Sequence, residues 1–195
     1  ASNWFEQLQE NRVTVWCTSS TALRLLKRAG NDLPKKYDLS SIRHVVTIGE
    51  QTDFDTLMWA KDVLGLIIRN TWSQTETGTV LIYHPILDYD PYSIGVPTPG
   101  TEIAILDNSL QPIKTGEGGL LSIRNFCPSL PANYWNDETT YRSKFEGEWF
   151  ISGELAKRDH NGRIIKLPGP KTFLNTAGGS LINGSAVSYT HLRAH

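Results

Sequence analysis

Few features of this sequence mark it as a membrane, disulfide-rich or nucleic-acid-binding protein. Its 195 residues include only two cysteines and no apolar run that approaches the length of a membrane helix. The formal net charge is −1 without a basic stripe, so nothing indicates binding to nucleic acid. Internal repeats and low-complexity segments are also missing. With 39% hydrophobic and 20% charged residues, the composition is typical of a soluble globular chain with one ordinary domain or two small ones.

The two cysteines, Cys17 and Cys127, are far apart and show no metal-ligand spacing. Two thiols without a disulfide framework suit a reducing compartment, so we expect a cytoplasmic protein. Cys17 ends a strand with a buried pattern, and we expect its side chain in the core. The chain opens at Ala1, inside an apparent helix and without a start Met, so the lack of a targeting segment carries little weight.

Helices and strands alternate over residues 1–88, and this alternation predicts a parallel sheet. The expected elements are helices at 4–11, 21–27 and 54–63, and strands at 13–17, 45–48 and 66–68. Thr52 or Asp53 caps the third helix, which ends near Gly65. This half of the chain is interpreted as an α/β unit.

Residues 89–168 predict a smaller, β-rich unit. Prolines and glycines between residues 85 and 100 break helices and favour turns. Strands are expected at 102–107, 120–123, 149–151, 155–158 and 163–165. Residues 159–162, Asp-His-Asn-Gly, predict a hairpin turn between the last two strands. We expect these strands to form a partly closed, barrel-like sheet.

The most informative segment is residues 70–78, Asn-Thr-Trp-Ser-Gln-Thr-Glu-Thr-Gly, which follows the third expected strand. Open α/β sheets bind ligands beyond the carboxyl ends of their strands. Thr75 and Thr77 can donate hydrogen bonds to phosphate or carboxylate oxygens, Glu76 is a hard ligand suited to Mg²⁺, and Trp72 can form a flat wall. Taken alone, the segment is equally compatible with a polar surface loop that binds nothing.

This segment and a series of other landmarks resemble the adenylate-forming enzymes, specifically the acetyl-CoA synthetase branch of the acyl-CoA ligases. The resemblance runs from about Trp4 to Asn161. Besides residues 70–78, the landmarks are VTVW at 13–16, TALR at 21–24, YDLSSIRH at 37–44, IGE at 48–50, GVPTPG at 95–100, GEGGL at 116–120, YWN at 134–136 and FISGE at 150–154. Their common order is far more specific than any one of them.

The resemblance implies the latter part of an adenylate-forming N-terminal domain, with an α/β nucleotide-binding subdomain at 1–88 and a β-barrel-like subdomain at 89–168. It also implies a two-step reaction. A carboxylic acid attacks the α-phosphate of ATP to give acyl-adenylate and pyrophosphate, and coenzyme A then displaces AMP. The expected small-molecule partners are the acid, ATP, Mg²⁺ and coenzyme A. The oligomeric state is not predicted.

The resemblance also implies a set of site residues. Thr75 matches the threonine that contacts the α-phosphate, and Glu76 matches the glutamate associated with Mg²⁺; both are expected to be catalytic. The nucleotide-binding residues are expected to be Gly49, Glu50, Gln51, Asn70, Thr71, Trp72, Ser73, Gln74, Thr75 and Glu154. A glycine at 49 allows the backbone to approach adenosine closely.

Two of these positions depart from the family pattern. Ser73 stands where acetate-specific relatives carry a bulky Trp, so we expect an acyl pocket with room for acetate or a somewhat longer acid. Glu154 stands where the family has an Asp that binds both ribose hydroxyls. The extra methylene displaces the carboxylate by about 1.5 Å, which predicts a weakened ligand rather than an unrelated surface charge.

Beyond Gly162 the resemblance decays, because Gly169 and Ser180 replace two arginines and Lys171 replaces a hinge Asp. Residues 169–195 are interpreted as a segment approaching the hinge followed by a poorly ordered, non-native tail. The family's Gly/Ser/Thr-rich phosphate loop and its C-terminal lysine domain are not found. We therefore expect an internal fragment of a ligase, inactive by itself.

Two alternatives stay open. One is an adenylating module that passes an amino acid or aryl acid to a carrier protein. The other is a non-catalytic nucleotide-binding remnant.

His44 and His84 show no catalytic arrangement. The aromatic side chains of Tyr134, Trp135 and Tyr141 are expected in the core and at the rim of the β unit.

Overall fold

A computed structural model describes residues 1–82 and 88–168. Farther along, it describes the backbone of two short paired strands, Phe173–Asn175 and Leu181–Asn183. The predictions for His84, Gly169, Lys171, Ser180 and the tail at 187–195 lie outside the described residues. Within the described part of the chain, no helix has both the length and the apolar content needed to cross a membrane.

The first half forms a parallel sheet with helices packed on it, as the alternating pattern predicts. Its elements are α1 (Ser2–Glu10), β1 (Val15–Thr18), α2 (Ser20–Arg28), a 3₁₀ turn (Pro34–Lys36), β2 (His44–Thr47), α3 (Phe54–Trp59), a π turn (Ala60–Leu64) and β3 (Ile68–Asn70). The strands pair in the order β1-β2-β3. An apolar core lies between sheet and helices, around Phe5, Leu23, Val45, Leu57 and Ile68.

The third strand begins two residues later than the apolar run at 66–68 predicts. The Leu66 N–H donates to the carbonyl of Ala60 at 3.2 Å, so Leu66 completes the turn that ends helix α3. Gly65 takes the left-handed conformation that closes this turn, with φ 69°. The strand can pair with β2 only after this turn, from Ile68 onward.

The cap of α3 is Asp53, one of the two expected residues. Its carboxylate accepts a hydrogen bond from the N–H of Thr56 at 2.8 Å. Thr52 is buried and bonds to other side chains instead.

The second half forms an antiparallel sheet. Its elements are β4 (Trp72–Gln74), β5 (Gly78–Ile82), β6 (Ser93–Pro97), β7 (Ile103–Leu106), β8 (Gly118–Arg124), α4 (Glu138–Arg142), β9 (Phe145–Glu146), β10 (Trp149–Arg158) and β11 (Ile164–Lys166). The strand order is β4-β5-β6-β11-β10-β8-β7, with β9 on β10. A second apolar core covers one face, around Leu81, Ile94, Leu121, Ile123 and Phe150. Among the described strands β4 and β7 do not pair, so the sheet is open and forms no closed barrel.

Several strands of the second half differ from the sequence expectations. Residues 70–78, expected as a loop, end β3 and then form the β4–β5 hairpin. Strand β6 lies within the stretch rich in proline and glycine. A Cβ at Gly95 would stand 2.2 Å from the carbonyl oxygen of Ile82, so glycine lets β6 lie close to β5. Strand β10 joins two expected strands into one of 10 residues. The boundary expected at residue 88 stays a prediction, although the antiparallel sheet already starts at Trp72.

Two burial predictions are wrong. Cys17 is exposed, because the alternation of β1 turns Trp16 and Thr18 inward and leaves Val15 and Cys17 outside. Trp135 is 91% exposed. Tyr134 and Tyr141 are partly buried, as a rim position requires.

Candidate functional site

A small cleft lies between the parallel sheet and the antiparallel sheet. It is lined by Gly49, Glu50, Gln51, Thr71, Trp72, Ser73, Ile94, Glu154 and Lys166. Residues 49–51 form the loop after β2, and residues 71–73 lead from β3 into β4, so the segments that leave two neighbouring parallel strands meet in one place. This is the edge at which open α/β sheets bind ligands.

Gly49 lies on one wall of this cleft in a conformation that favours glycine. Its φ is +93°, in the left-handed region. A Cβ built at this position would meet no atom within 4 Å. The space beside the backbone is therefore open to a ligand.

Asn70 lies beneath the surface of the cleft, beside the loop that carries Gly49, and is only 2% exposed. Its Oδ1 accepts the N–H of Thr52 at 3.0 Å and the hydroxyl of Thr47 at 3.1 Å. Its Nδ2 donates to the carbonyl of Pro91 at 3.1 Å. The Thr52 hydroxyl donates to Thr47 at 2.9 Å and shares a 2.6 Å hydrogen bond with Ser20. This buried network fixes the loop after β2 to β3, and of its side chains only Asn70 was predicted as a site residue.

Glu50 and Gln51 are tied down by neighbouring elements. The Glu50 carboxylate accepts the hydroxyl of Thr21 and a guanidinium N–H of Arg24, both at 2.6 Å. The Thr21 hydrogen bond, with the charge of Arg24, holds the pKa of Glu50 below its ordinary value. Gln51 donates to the carbonyl of Tyr92 at 3.3 Å. Glu50 therefore lines the cleft as a carboxylate with its own counter-charge.

Glu154 reaches the cleft from a bulge in β10. Ile151 pairs with Ser122 and Leu155 with Leu120, so three residues of β10 stand opposite one residue of β8. Gly153, at the centre of the bulge, has φ +78°. The bulge turns Glu154 out of the regular pleat and toward the loop after β3.

The carboxylate of Glu154 is held from two sides. Its Oε2 accepts the indole N–H of Trp72 at 2.9 Å and the ammonium of Lys166 at 2.8 Å. Lys166 was not among the residues predicted from the sequence. The hairpin turn at 159–162 contained the signal, because the register that follows it pairs Lys166 with Ala156 and so sets Lys166 diagonally beside Glu154.

Ser73 and Gln74 lie on the β4 strand of the hairpin. Ser73 is half-buried, lines the cleft and pairs with Thr79. Gln74 does not line the cleft but donates to the carbonyl of Ser152 at 3.0 Å. This bond joins the hairpin to the bulge that carries Glu154.

Thr75 and Glu76 lie in the turn of the hairpin and do not line the cleft with Gly49. Thr75 is exposed. Thr77 is buried, accepts the N–H of Gln74 at 3.1 Å and donates to the carbonyl of Gly78 at 3.0 Å, so its hydroxyl is engaged within the turn. The roles of Thr75 and Glu76 at a nucleotide stay predictions.

Glu76 is paired with Tyr134, whose hydroxyl donates to its Oε1 at 2.6 Å. This hydrogen bond holds the pKa of Glu76 below its ordinary value and raises the pKa of Tyr134 to about 12. Glu76 is therefore ionised at neutral pH. Its other carboxylate oxygen can serve a cation that is held mainly by phosphates, since Mg²⁺ in nucleotide sites takes only one or two carboxylates. Within residues 1–82 and 88–168, no group of three or more acidic, His or Cys side chains could hold a metal ion.

Comparison with known proteins decides the family. The sequence pattern described as AMP-binding enzyme matches residues 1–135. The chain belongs to the AMP-binding enzyme family. The expected relation to adenylate-forming enzymes is thereby confirmed.

Similar curated proteins include two acetyl-coenzyme A synthetases. The one from Bacillus subtilis is 38% identical over 162 residues, which is 82% of this chain and 28% of the relative. The one from Chromobacterium violaceum is 34% identical over 192 residues, which is 93% of this chain and 29% of the relative. This AMP-binding enzyme chain thus spans less than a third of the length of these relatives.

Solved structures of larger enzymes share the fold. An acyl-CoA synthetase from Brucella canis superposes with a TM-score of 0.76 at 25% identity, over 99% of this chain and 35% of its own. An anthranilate CoA ligase in complex with anthranoyl-AMP superposes with a TM-score of 0.77 at 24% identity, over 99% of this chain and 36% of its own. At that identity the second likeness shows the fold alone.

Most of the residues expected to bind nucleotide in this AMP-binding enzyme chain meet at the cleft. Those that line it are Gly49, Glu50, Gln51, Thr71, Trp72, Ser73 and Glu154. Asn70, Gln74 and Thr75 do not line it, and neither does Glu76, which was expected to be catalytic and to bind Mg²⁺. Two of these four support the walls through hydrogen bonds, and the other two lie at the hairpin turn.

Proposed function

We propose that this chain is part of an AMP-forming acid–CoA ligase, which activates a small carboxylic acid as its adenylate and transfers the acyl group to coenzyme A. The observation that carries the proposal is the convergence of the loops after β2 and β3 with Glu154 on one cleft. Membership of the AMP-binding enzyme family and the likeness to acetyl-coenzyme A synthetases support it.

In this proposal the cleft is the floor of the nucleotide site. The backbone from Gly49 to Gln51 lies along adenosine, in the open space beside Gly49. The Oε1 of Glu154 accepts a hydrogen bond from a ribose hydroxyl, since its Oε2 is occupied by Trp72 and Lys166. Each of these groups is fixed by protein contacts before the ligand arrives, which lowers the entropic cost of binding.

In this proposal the β4–β5 hairpin turn binds the phosphate groups of the nucleotide. The exposed hydroxyl of Thr75 donates to the α-phosphate. Glu76, kept ionised by Tyr134, would hold Mg²⁺ through its other carboxylate oxygen, and the ion would supply neutralisation of the phosphate charge. Catalysis on this surface is thus positioning and electrostatic stabilisation.

The acid is acetate or a somewhat longer homologue. Ser73 lines the cleft beside Trp72 and contributes only a small side chain. Pocket volume discriminates such acids by roughly 1–3 kcal/mol per methylene. A serine here leaves space next to the α-phosphate position that a bulky side chain would fill.

The test is acid-dependent exchange of labelled pyrophosphate into ATP, made with the product of the complete reading frame that contains this chain. We expect exchange with short carboxylic acids and formation of the coenzyme A thioester once coenzyme A is added. Exchange with no transfer to free coenzyme A favours a module that serves a carrier protein. ATP binding without any exchange favours a non-catalytic remnant. A product that binds no adenine nucleotide overturns the proposal.

A further inference from the structure

Three side chains from three different strands meet at the Glu154 carboxylate. Trp72 comes from β4, Glu154 from β10 and Lys166 from β11. The Trp72 indole nitrogen lies 2.9 Å and the Lys166 ammonium 2.8 Å from the same oxygen, Oε2. The Lys166 and Glu154 side chains are only 34% and 26% exposed, so this ion pair is shielded from water more than an ordinary surface pair.

Both donors bind the same oxygen of the Glu154 carboxylate. Because both bind Oε2, neither competes for Oε1. A carboxylate held by one donor can still turn about its last torsion, which has a broad energy profile. A second donor on the same oxygen restricts that rotation. The pair of Trp72 and Lys166 therefore holds the carboxylate of Glu154, a residue that lines the cleft, in a defined orientation with Oε1 outside both contacts.

Charge in the cleft depends on Lys166 as well. Glu50 and Glu154 both line the cleft, and Arg24 already compensates Glu50 through a 2.6 Å contact. Among the residues lining the cleft, Lys166 is the side chain that compensates Glu154. Without it, an anionic ligand would face an uncompensated carboxylate at short range, where repulsion is weakly screened.

We propose that Lys166 is a positioning residue that fixes Glu154 for recognition of the ribose hydroxyls and cancels its charge toward a nucleotide. This inference rests on the proposed function, since it specifies how the same cleft selects its nucleotide. Lys166 acts through Glu154, and Trp72 is the second support. A lysine that merely stabilises the sheet would affect folding without affecting the choice between ribose and deoxyribose.

The experiment measures dissociation constants by calorimetry for ATP, 2′-deoxy-ATP and 3′-deoxy-ATP, with the product of the complete reading frame. Lys166→Met removes the charge and keeps the aliphatic stem, and Lys166→Arg keeps the charge. We expect Lys166→Met to weaken ATP binding about tenfold, the loss associated with a charge-assisted hydrogen bond. Its preference for ATP over the deoxy nucleotides should shrink, and Lys166→Arg should restore most of that preference.

A double-mutant cycle gives the second measurement. If Lys166 acts through Glu154, then Glu154→Gln alone should reduce the preference for ribose, and Lys166→Met should add little in that background. Lys157→Met is the matched control, because Lys157 lies in β10 and does not line the cleft. It should bind all three nucleotides like the unmodified protein.

Two results contradict the inference in different ways. An unmodified protein that prefers ATP, with Lys166→Met showing the same affinities and the same preference, overturns the role of Lys166 and leaves the proposed function standing. An unmodified protein that binds no adenine nucleotide overturns both. Equal effects of Lys166→Met in the presence and absence of Glu154 would also contradict the inference, because Lys166 would then act on its own.

Discussion

A single hydroxyl, that of Tyr134, sets the charge state of the acid at the hairpin turn. Its 2.6 Å hydrogen bond to Glu76 favours the carboxylate of Glu76 and the protonated phenol of Tyr134. The pKa of Glu76 therefore falls, while the pKa of Tyr134 rises to about 12. Because both pKa values differ between the folded and the unfolded chain, the stability that this hydrogen bond adds depends on pH. The stabilisation is complete between pH 4.5 and pH 10.0, the ordinary pKa values of Glu76 and Tyr134. It is lost as the pH falls through the lowered value of Glu76 or rises through about 12.

Tyr134→Phe should raise the pKa of Glu76 toward its ordinary value, because the donor that stabilises its carboxylate is removed. The measurement is the ¹³C chemical shift of the labelled Glu76 carboxyl as a function of pH. We also expect a loss of about 0.5–1 kcal/mol in the free energy of unfolding at neutral pH, modest because the pair is partly solvated. Tyr141→Phe is the control, since the Tyr141 ring packs edge-on against Tyr134 and should leave the Glu76 midpoint unchanged. An identical midpoint in both variants would contradict this account.

Ser73→Trp tests the size of the acyl pocket. If Ser73 leaves space for the acid, a tryptophan should lower kcat/KM for acids longer than acetate by about tenfold or more, relative to acetate. The measurement compares a series of straight-chain acids in the complete enzyme. Ser109→Trp adds the same side chain at an exposed turn and should leave the series unchanged. A sharp optimum at acetate in the unmodified enzyme would refute the enlarged acyl pocket and leave acetate as the acid.

At the scale of elements, glycines shape the strands that flank the cleft. Gly153 and Gly95 both have positive φ, +78° and +109°. A Cβ at Gly153 would meet nothing within 4 Å, whereas a Cβ at Gly95 would overlap the backbone of Ile82. At Gly153, in the β10 bulge, glycine is required only because of its positive φ. At Gly95, glycine is required for its positive φ and also because a Cβ would not fit between β6 and β5.

Gly153→Ala should therefore cost about 1–2 kcal/mol of unfolding free energy, the strain of a left-handed alanine. Gly95→Ala should cost clearly more, because strain and overlap add. Urea denaturation of the two variants gives both values. Equal losses would show that the close approach of β6 to Ile82 relaxes freely, contrary to the expectation. In the complete enzyme, Gly153→Ala should also weaken nucleotide binding, since the bulge aims Glu154.

Prediction of elements succeeded where a local pattern was sufficient. Helix α3 begins at an Asp cap, the π turn that continues it ends at a glycine, and both signals stand in the sequence. The hairpin turn before β11 is equally local. Strand β3 was misplaced, because the apolar side chain of Leu66 resembles a strand residue while its N–H closes a helical turn. The β4–β5 hairpin was missed, because polar residues in a strand are stabilised by their partner strand rather than by their own sequence.

At the scale of the whole molecule, two apolar cores stabilise two sheets. Leu23 belongs to the core of the parallel sheet and Leu121 to that of the antiparallel sheet, and both side chains are fully or almost fully buried. The cleft lies where the sheets meet, so its geometry depends on both cores. Cores of this kind often open as separate cooperative units.

Leu23→Ala and Leu121→Ala form a matched pair that tests this separation. Each should cost about 2–5 kcal/mol through lost burial and the cavity that remains. In hydrogen exchange followed by mass spectrometry, Leu23→Ala should lower protection mainly in β1–β3, and Leu121→Ala mainly in β7, β8 and β10. Uniform loss of protection over both sheets in either variant would mean that the chain opens as one unit.

The sequence by itself determined the alternation that builds the parallel sheet and the polar segments that follow β2 and β3. Because parallel strands end at one edge, residues 49–51 and 71–73 had to meet there, while their roles toward a nucleotide stay predictions. Only the tertiary structure decided which partners complete the site. Trp72 and Glu154 are 82 residues apart and Glu76 and Tyr134 are 58 apart. Such pairs depend on strand order and register, which result from packing of the whole chain and leave no periodic trace in the sequence.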